Sequence, residues 1–309
     1  MDKMRAIVTT KYGSPEVLQI QEVEKPQPRK NEVLIRIQAI AVTSGDCRLR
    51  AFNPPNWFLG LLMRLMIGIF KPRKPIQGLW LAGVIEETGQ SAAAFQIGQS
   101  VYARTLDLKF GANAEYICLP TTAIIGLQPR NLTFEEAVSI PFGGMTALHF
   151  LNESKLKRGD KILVYGASGS VGTSALQLGK YYGAEVTAVC STANLEWVKE
   201  LGADHTIDYT KESLTDNEQR YDIVFDTVGF LSRSLGKQLL RPNGRFVSVI
   251  HSGHAQGGVK QLRLLTELAE NGHLKPVIDR CYPFEEMAEA HRYVEKGHKK
   301  GNVVIQVHS

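Results

Sequence analysis

The stretch Lys161 to Thr173, K-I-L-V-Y-G-A-S-G-S-V-G-T, constrains the fold of this chain more than any other. Ile162 to Tyr165 is strand-like, Gly166, Gly169 and Gly172 follow, and a helix-like run extends from Thr173 to Tyr182. The glycines have a steric reason. A diphosphate reaches the N-terminal amides of a helix only if the preceding chain turns sharply and no Cβ stands in the way, and the last glycine lets helix and strand pack closely. The spacing G-x-x-G-x-x-G is one residue wider in its first gap than the usual dinucleotide fingerprint, but a strand before and a helix after are what that fingerprint requires. A merely glycine-rich strand-to-helix turn is the competing reading. A nucleophile elbow is excluded, because Ser170 stands where G-x-S-x-G needs its last glycine and no ordered Asp and His follow. Ser168 and Ser170 therefore read as phosphate-facing hydroxyls or amides.

The sequence on either side differs in pattern. Residues 4–10, 17–23 and 32–42 are β-rich, with alternation from Val33 to Ala39, and short strands are predicted at Leu81–Glu87, Ser100–Ala103 and Ala114–Leu119. From Asn131 helices and strands alternate. Thr133 and Glu136 form a capping box for a helix that begins over Thr133–Ser139. Strands at Glu185–Cys190, His205–Asp208, Tyr221–Thr227 and Arg245–Ile250 are separated by helices at Asn194–Leu201 and Leu231–Leu240. This alternation predicts an α/β chain with a doubly wound parallel sheet and ligands at the carboxyl ends of its strands. The tail, Leu274–Tyr282, Phe284–Lys296 and Val303–Val307, reads as strand, helix and strand returning to the first domain. The expected division is residues 1–122 with 273–309 as a β-rich domain and residues 123–272 as the dinucleotide domain.

At 309 residues the chain can bury a full core, and 43% hydrophobic with 22% charged residues is ordinary for a globular protein. The net charge of +5 comes without a basic block, so nucleic acid is not an expected partner and an anionic cofactor accounts for the excess. Cys47, Cys118, Cys190 and Cys281 are scattered, with no C-x-x-C, and read as reduced thiols. The N-terminus shows no signal-peptide pattern, and a cytoplasmic location is expected. The most apolar segment, Trp57 to Phe70, is about 14 residues long, against the roughly 20 needed to span a bilayer. It reads as a buried or subunit-contact helix, or as a lid over an apolar substrate mouth.

The end of the second Rossmann strand bears on the cofactor. An NAD-preferring site places Asp or Glu there, roughly 20 residues after the glycines, to bind the ribose 2′-hydroxyl. Here Cys190-Ser191-Thr192-Ala193-Asn194 offers no carboxylate, while Ser191, Thr192 and Asn194 can donate hydrogen bonds to a 2′-phosphate. NADPH is the expected cofactor, against the reading that these residues only cap the next helix.

These motifs, with S-I-P-F-G-G-M-T-A-L at Ser139 to Leu148, resemble the medium-chain dehydrogenase/reductase superfamily. Cys190 to Tyr209 and the tail segments K-P-V-I-D-R-C-Y-P-F and G-H-K-K-G-N-V-V-I resemble its zinc-independent quinone oxidoreductase branch. The resemblance covers nearly the whole chain. It implies a GroES-like catalytic domain beside a Rossmann domain, with NADPH in the cleft between them. It also implies that Gly166, Ala167, Ser168, Gly169, Ser170, Val171 and Gly172 form the pyrophosphate loop. Ser191, Thr192 and Asn194 take the 2′-phosphate region, Tyr209 the adenosine end, Thr146 the nicotinamide side, and Thr227-Val228-Gly229 the loop lining the cofactor. Thr43, Asp46 and Arg48 lie on the loop that faces the nicotinamide in relatives. Relatives usually carry asparagine at the Thr43 position, and for Asp46 and Arg48 a structural ion pair is an equal alternative to a catalytic role.

No metal is expected. Thr43 stands at the position matching the family's zinc-binding cysteine, Gly78-Leu79-Trp80-Leu81-Ala82-Gly83 replaces a G-H-E stretch, and the structural cysteine cluster is missing. Without a Lewis acid to hold an alkoxide, the acceptors that remain are already electrophilic: quinones, and enones or enals reduced at the β-carbon. The expected activity is thus NADPH-dependent hydride transfer to a small apolar electrophile. The alternatives are an enoyl-thioester reductase, with Lys71, Arg73 and Lys74 as candidate phosphate contacts, and a non-catalytic NADPH-sensing or RNA-binding relative. His149, His251, His254 and His291 carry no expected role. The resemblance further implies a homodimer in which the edge strand matching Arg245–Ile250 pairs with its twin.

Overall fold

The alternating run of the first half becomes the centre of a sheet. In the computed structural model, which describes residues 2–53, 64–65, 67–106, 110–216, 218–253 and 255–308, strand β3 (Glu32–Val42) buries Val33, Leu34, Ile35 and Ile37 completely. It follows β1 (Lys3–Thr9) and β2 (Leu18–Glu24), which pair with each other antiparallel. On β3 lie β4 (Trp80–Thr88) and β6 (Tyr116–Pro120); β5 (Ser100–Arg104) and β7 (Ile124–Leu127) extend the sheet.

The tail completes this unit. Strand β14 (Asn302–Gln306) runs antiparallel to β3 and parallel to β13 (Ile278–Pro283), giving a seven-stranded sheet in the order β13-β14-β3-β4-β5-β7 with β6 on β3. Between β13 and β14 runs a helix, Met287–Glu295, whose buried residues Met287, Ala290, His291 and Val294 recur at three- and four-residue spacing.

The second unit is a five-stranded parallel sheet of β8 (Lys161–Tyr165), β9 (Glu185–Cys190), β10 (His205–Asp208), β11 (Tyr221–Asp226) and β12 (Leu240–Ser248). Its order, β10-β9-β8-β11-β12, reverses direction between β8 and β11, the switch point at which doubly wound sheets bind ligands. The chain thus divides into Met1–Ser139 with Ile278–Ser309, and Ile140–Val277. The sequence reading places these boundaries after residue 122 and before residue 273.

Numbered in chain order, the helices are α1 (Ser44–Ala51), α2 (Phe134–Glu153), α3 (Ser170–Tyr181), α4 (Leu195–Glu200), α5 (Arg233–Gln238), α6 (Val259–Glu270) and α7 (Met287–Glu295). The helix expected to begin at Thr133–Ser139 continues through Pro141 to Glu153. The capping box starts it as expected, with the Thr133 amide donating to Glu136 Oε2 and the Glu136 amide to Thr133 Oγ1. Proline cannot donate to the carbonyl four residues back, but the apolar run Met145 to Leu151 carries the helix on by burial. Helix α6 was not anticipated, and its buried Leu262, Leu265, Leu268 and Ala269 form one apolar stripe. Most of the apolar segment Trp57–Phe70 lies outside the described residues.

Gly143 is where α2 meets the glycine turn, since a Cβ there would lie 2.2 Å from the Ser170 carbonyl oxygen. Gly143→Ala is expected to lower stability by about 1–3 kcal/mol, as overpacking does. Denaturant unfolding measures this, and an unchanged midpoint would contradict the close approach.

Candidate functional site

The dinucleotide candidates gather at the carboxyl end of the parallel sheet. Gly166 takes the left-handed conformation, φ 79°, that lets β8 turn sharply. Both its amide and that of Ala167 donate to the Val189 carbonyl, at 3.1 and 3.0 Å, tying the turn to β9. A Cβ on Gly172 would stand 2.2 Å from the Gly166 carbonyl, so only glycine fits beneath the turn. Gly169 differs, for a Cβ there would meet nothing nearer than 3.6 Å, and its outer side is open. Gly169 caps α3 without a side-chain bond, and the amides of Val171 and Gly172 in the first turn have no acceptor among the described residues. These donors at the positive end of a helix form a cradle that suits a diphosphate.

Val228 packs against this turn, with its Cγ1 2.7 Å from where a Gly166 Cβ would be. Its loop is held by Asp226, a fully buried carboxylate that the sequence reading passed over. Asp226 accepts the amides of Val228 and Gly229 on Oδ1, and the Leu231 amide and Ser248 hydroxyl on Oδ2. Thr146, on α2 a turn beyond Gly143, donates its hydroxyl to the Phe142 carbonyl at 2.7 Å. Its oxygen is therefore left to act as an acceptor only.

At the adenosine end the structure departs from the sequence reading. Ser191, Thr192 and Asn194 do sit just past β9, and Tyr209 is about half exposed with its ring 6.3 Å from that of Tyr165. Thr192 and Asn194 are already engaged, while the Ser191 hydroxyl only accepts and keeps its proton to donate. Asn194 Nδ2 donates to Ser191 Oγ, its Oδ1 accepts the Trp197 indole, and Thr192 Oγ1 donates to Asp208 Oδ2 at 2.5 Å. The last bond brings in a carboxylate that the sequence reading did not weigh. Asp208 ends β10 directly opposite Cys190, so it is adjacent across the sheet although distant from the glycines in sequence.

The catalytic candidates lie in the first unit. Thr43 caps α1 in a capping box with Asp46. The Thr43 amide donates to Asp46 Oδ2 at 2.9 Å and its hydroxyl donates to the same oxygen at 2.5 Å. Both residues are buried, and Asp46 Oδ1 has no hydrogen-bond partner. Burial raises the Asp46 carboxyl to about 6, although the Thr43 hydroxyl and amide pull it down. Arg48 is exposed and makes no ion pair with any described residue, so the expected pairing with Asp46 is absent: their side chains leave different faces of α1. The inner face of α1 is anchored to α7. Fully buried Arg50 is ion-paired with Glu295, and Cys47 Sγ lies 3.5 Å from His291 Nδ1. Burial, aided by Arg50, lowers His291 to about 3 and keeps it neutral. Lys71, Arg73 and Lys74 are exposed.

Among the described residues no three of His, Cys, Asp and Glu come together as a metal site, and no helix is long and apolar enough to cross a membrane. All four cysteines are unpaired.

The Asp46 carboxyl makes stability depend on pH. Its folded-state value lies above the unfolded 3.8, so its contribution is fully present below about 3.8 and is lost as pH rises through about 6. Asp46→Asn should therefore gain about 1–3 kcal/mol on the wild type between pH 4 and pH 7. Urea midpoints at the two pH values read the difference, and a constant gap would show that Asp46 titrates normally.

The comparisons with known proteins agree with this arrangement. Residues 29–146 match the family described as alcohol dehydrogenase GroES-like domain, and residues 170–273 and 252–305 match families described as zinc-binding dehydrogenase. The chain is 31% identical to an NADPH-dependent alkenal/one oxidoreductase of Arabidopsis thaliana, over 98% of this chain and 79% of the relative. It is 33% identical to a 2-methylene-furan-3-one reductase of Solanum lycopersicum, again over 98% and 79%. Among solved structures, the quinone oxidoreductase from Coxiella burnetii superposes with a TM-score of 0.87 at 27% identity, covering 99% of this chain and all of that one. The chain therefore belongs to the medium-chain dehydrogenase/reductase superfamily, in its quinone oxidoreductase-like branch.

Proposed function

We propose that this chain is an NADPH-dependent oxidoreductase that reduces quinones or α,β-unsaturated carbonyls without a catalytic zinc. The observation that carries the reading is the glycine turn, whose Val171 and Gly172 amides stand without acceptors beneath the open side of Gly169. The named relatives act on alkenals, enones and quinones, which supports this substrate class. When bound, NADPH supplies the hydride, and every other requirement falls on the protein.

The turn from Gly166 to Gly172 would hold the diphosphate, Tyr209 the adenosine end, and Val228 and Thr146 the nicotinamide side. With its proton directed at Phe142, Thr146 is suited to accept an N–H from a carboxamide. The Asp226 carboxylate keeps the Val228 loop in place.

Hydride addition to a conjugated carbonyl or a quinone leaves negative charge on oxygen, which needs a hydrogen-bond donor and then a proton. Thr43 and Asp46 supply both in our reading. While Asp46 is ionised it takes the Thr43 proton. Once Asp46 is protonated the bond reverses, with the carboxyl donating to Thr43 Oγ1 and the Thr43 hydroxyl free to donate to the oxyanion. A group with a pKa of about 6 can make this exchange near neutral pH. Thr43 offers a hydroxyl, a poor zinc ligand beside thiolate or imidazole, and this supports zinc-free chemistry. Four unpaired thiols fit a cytoplasmic setting. The outer edge of β12 is the end of its sheet, which suits pairing with a second copy as a homodimer.

The first test is NADPH oxidation against quinones, enones and simple aldehydes, with and without a chelator. Turnover of quinones or enones that resists the chelator is expected; zinc-dependent alcohol oxidation would refute the proposal. Because the protonated form of Asp46 is the competent one, kcat should fall as pH rises through about 6, and Asp46→Asn should flatten that limb. Thr43→Val should lower kcat about ten- to a thousand-fold, leaving NADPH affinity unchanged. Thr43→Asn, which keeps both a cap and an N–H donor, should retain most activity. If Thr43→Val is fully active, or if both variants lose activity alike, Thr43 has no donor role. Light scattering should give the mass of a dimer.

A further inference from the structure

A cavity of about 410 Å3 lies between α5 and β12, and no residue of the glycine turn lines it. Arg233 and Lys237 of α5, Leu240, Arg241 and Phe246 of β12, and Ser252 just beyond form its walls. Among the described residues no carboxylate lines it. Of the three cations only Arg241 is neutralised: its Nη1 lies 2.9 Å from Asp222 Oδ2, an oxygen that also takes the Lys161 amide. Arg233 gives one N–H to the His251 carbonyl at 2.8 Å, and Lys237 has no ion pair or hydrogen bond with any described residue. These two stand four residues apart on one face of a short helix, a like-charge pairing that works against the helix. Charges on an edge strand often serve only to keep other chains away. That accounts for Arg241 on β12, but not for two cations presented from the neighbouring helix.

The rest of the lining is of another kind. Leu240 and Phe246 are partly buried apolar side chains, and Phe246 is pressed so close to α5 that a Cβ on Gly236 would come within 2.4 Å of its ring. A ring held in this way offers a fixed surface to a flat partner. Ser252 Oγ accepts the Ser248 amide at 2.9 Å, and its own proton remains available to a ligand.

We propose that this cavity is a second anion site, separate from the dinucleotide turn, for an organic phosphate with a flat apolar body such as a free nucleotide. Two uncompensated cations and a hydroxyl donor suit a group with two or more negative charges, which a phosphate has and a single carboxylate lacks. The volume is larger than inorganic phosphate needs and lies within the range of small-molecule sites, about 300–1,000 Å3. Arg233 and Lys237 would hold the phosphate, and Leu240 and Phe246 the apolar body. This inference does not depend on the reductase reading. Pairing of β12 with a second copy would use the backbone groups of its outer edge, whereas the cavity is built from side chains of α5 and β12, so the two are compatible.

The test is calorimetric titration of the NADPH-saturated protein with ATP and, separately, with inorganic tripolyphosphate. Saturation closes the glycine turn to either probe. ATP should bind at one site per chain, and tripolyphosphate, which has the charge without the apolar body, should bind at least about tenfold more weakly. Removing one charge beside a phosphate is worth about tenfold, so Arg233→Gln and Lys237→Gln should each weaken ATP by that factor and leave the affinity for NADPH unchanged. Lys155→Gln, at an exposed lysine outside the cavity, should alter neither.

Absence of ATP binding once NADPH is bound overturns the proposal, because any affinity for ATP then belongs to the glycine turn. Equal weakening by Lys155→Gln overturns it as well, since the attraction would be that of the whole basic surface. Tripolyphosphate as tight as ATP also overturns it, for the cavity would then recognise charge alone. Failure of the chain to bind NADPH would instead count against the reductase reading. The same titrations on the bare protein would still decide the site, with loss of ATP affinity in Arg233→Gln and Lys237→Gln upholding it and unchanged affinity refuting it.

Discussion

The second unit depends on one close approach, between the carbonyl of Gly166 and the backbone of Gly172. A Cβ at Gly172 would stand 2.2 Å from that oxygen, and one at Gly143 would stand 2.2 Å from the Ser170 carbonyl. The turn is thus pressed from below by its own strand and from the side by α2, and neither contact leaves room for a side chain. Close packing of this kind does not deform continuously. It fixes where α3 begins and leaves the Val171 and Gly172 amides facing the open side at Gly169. The neighbouring parts are tied to the same point: β9 through the Val189 carbonyl, and the Val228 loop through the Thr227 hydroxyl, which donates to the Tyr165 and Gly166 carbonyls.

A different force holds the Thr43 corner of the first unit. Helix α1 is short and its outer face polar, so propensity alone would not keep it in place. It is fixed from within by the Arg50–Glu295 ion pair and the Cys47–His291 contact. Fully buried, with Nε and Nη1 lacking partners, Arg50 would be costly without Glu295. Removing Glu295 would leave the Arg50 charge buried without a partner, which typically costs about 3–5 kcal/mol. The pair adds little as a stabiliser but permits one alignment of α1 against α7. Thr43 and Asp46 inherit that alignment.

Much of this was legible in the sequence, and the parts that were not share a cause. Alternation in Val33 to Ala39 and the strand-turn-helix pattern after Lys161 are local signals, and both units follow from them. The capping box at Thr133 was equally readable. Helix α6 escaped because the glycine-rich run before it hides its start, and the length of α2 could not be read because burial outweighs the bond that Pro141 cannot make. At the candidate site, the glycines are readable from their spacing, and Thr146 and Val228 from the family resemblance. Asp208 was hidden although it stands in the same D-Y pair as Tyr209. Distance from the glycines was counted along the chain, whereas the relevant neighbour of Cys190 lies across the sheet. Which way a hydroxyl points is likewise decided by tertiary neighbours and not by residue type.

That last point links the two units chemically. Thr43, Thr146 and Thr192 all read from sequence as site residues, and Thr192 as a hydrogen-bond donor. In the folded chain each already donates its proton, to Asp46, to the Phe142 carbonyl and to Asp208. What each threonine can offer a ligand then depends on its acceptor. A backbone carbonyl cannot give the proton back, so Thr146 is a permanent acceptor. The Asp208 carboxyl is held low by its two threonines, so Thr192 also stays an acceptor at neutral pH. Only Asp46, raised to about 6 by burial, can become a donor near neutrality and release the Thr43 proton outward. The same side chain thus serves as fixed acceptor or switchable donor according to the solvation of the group behind it.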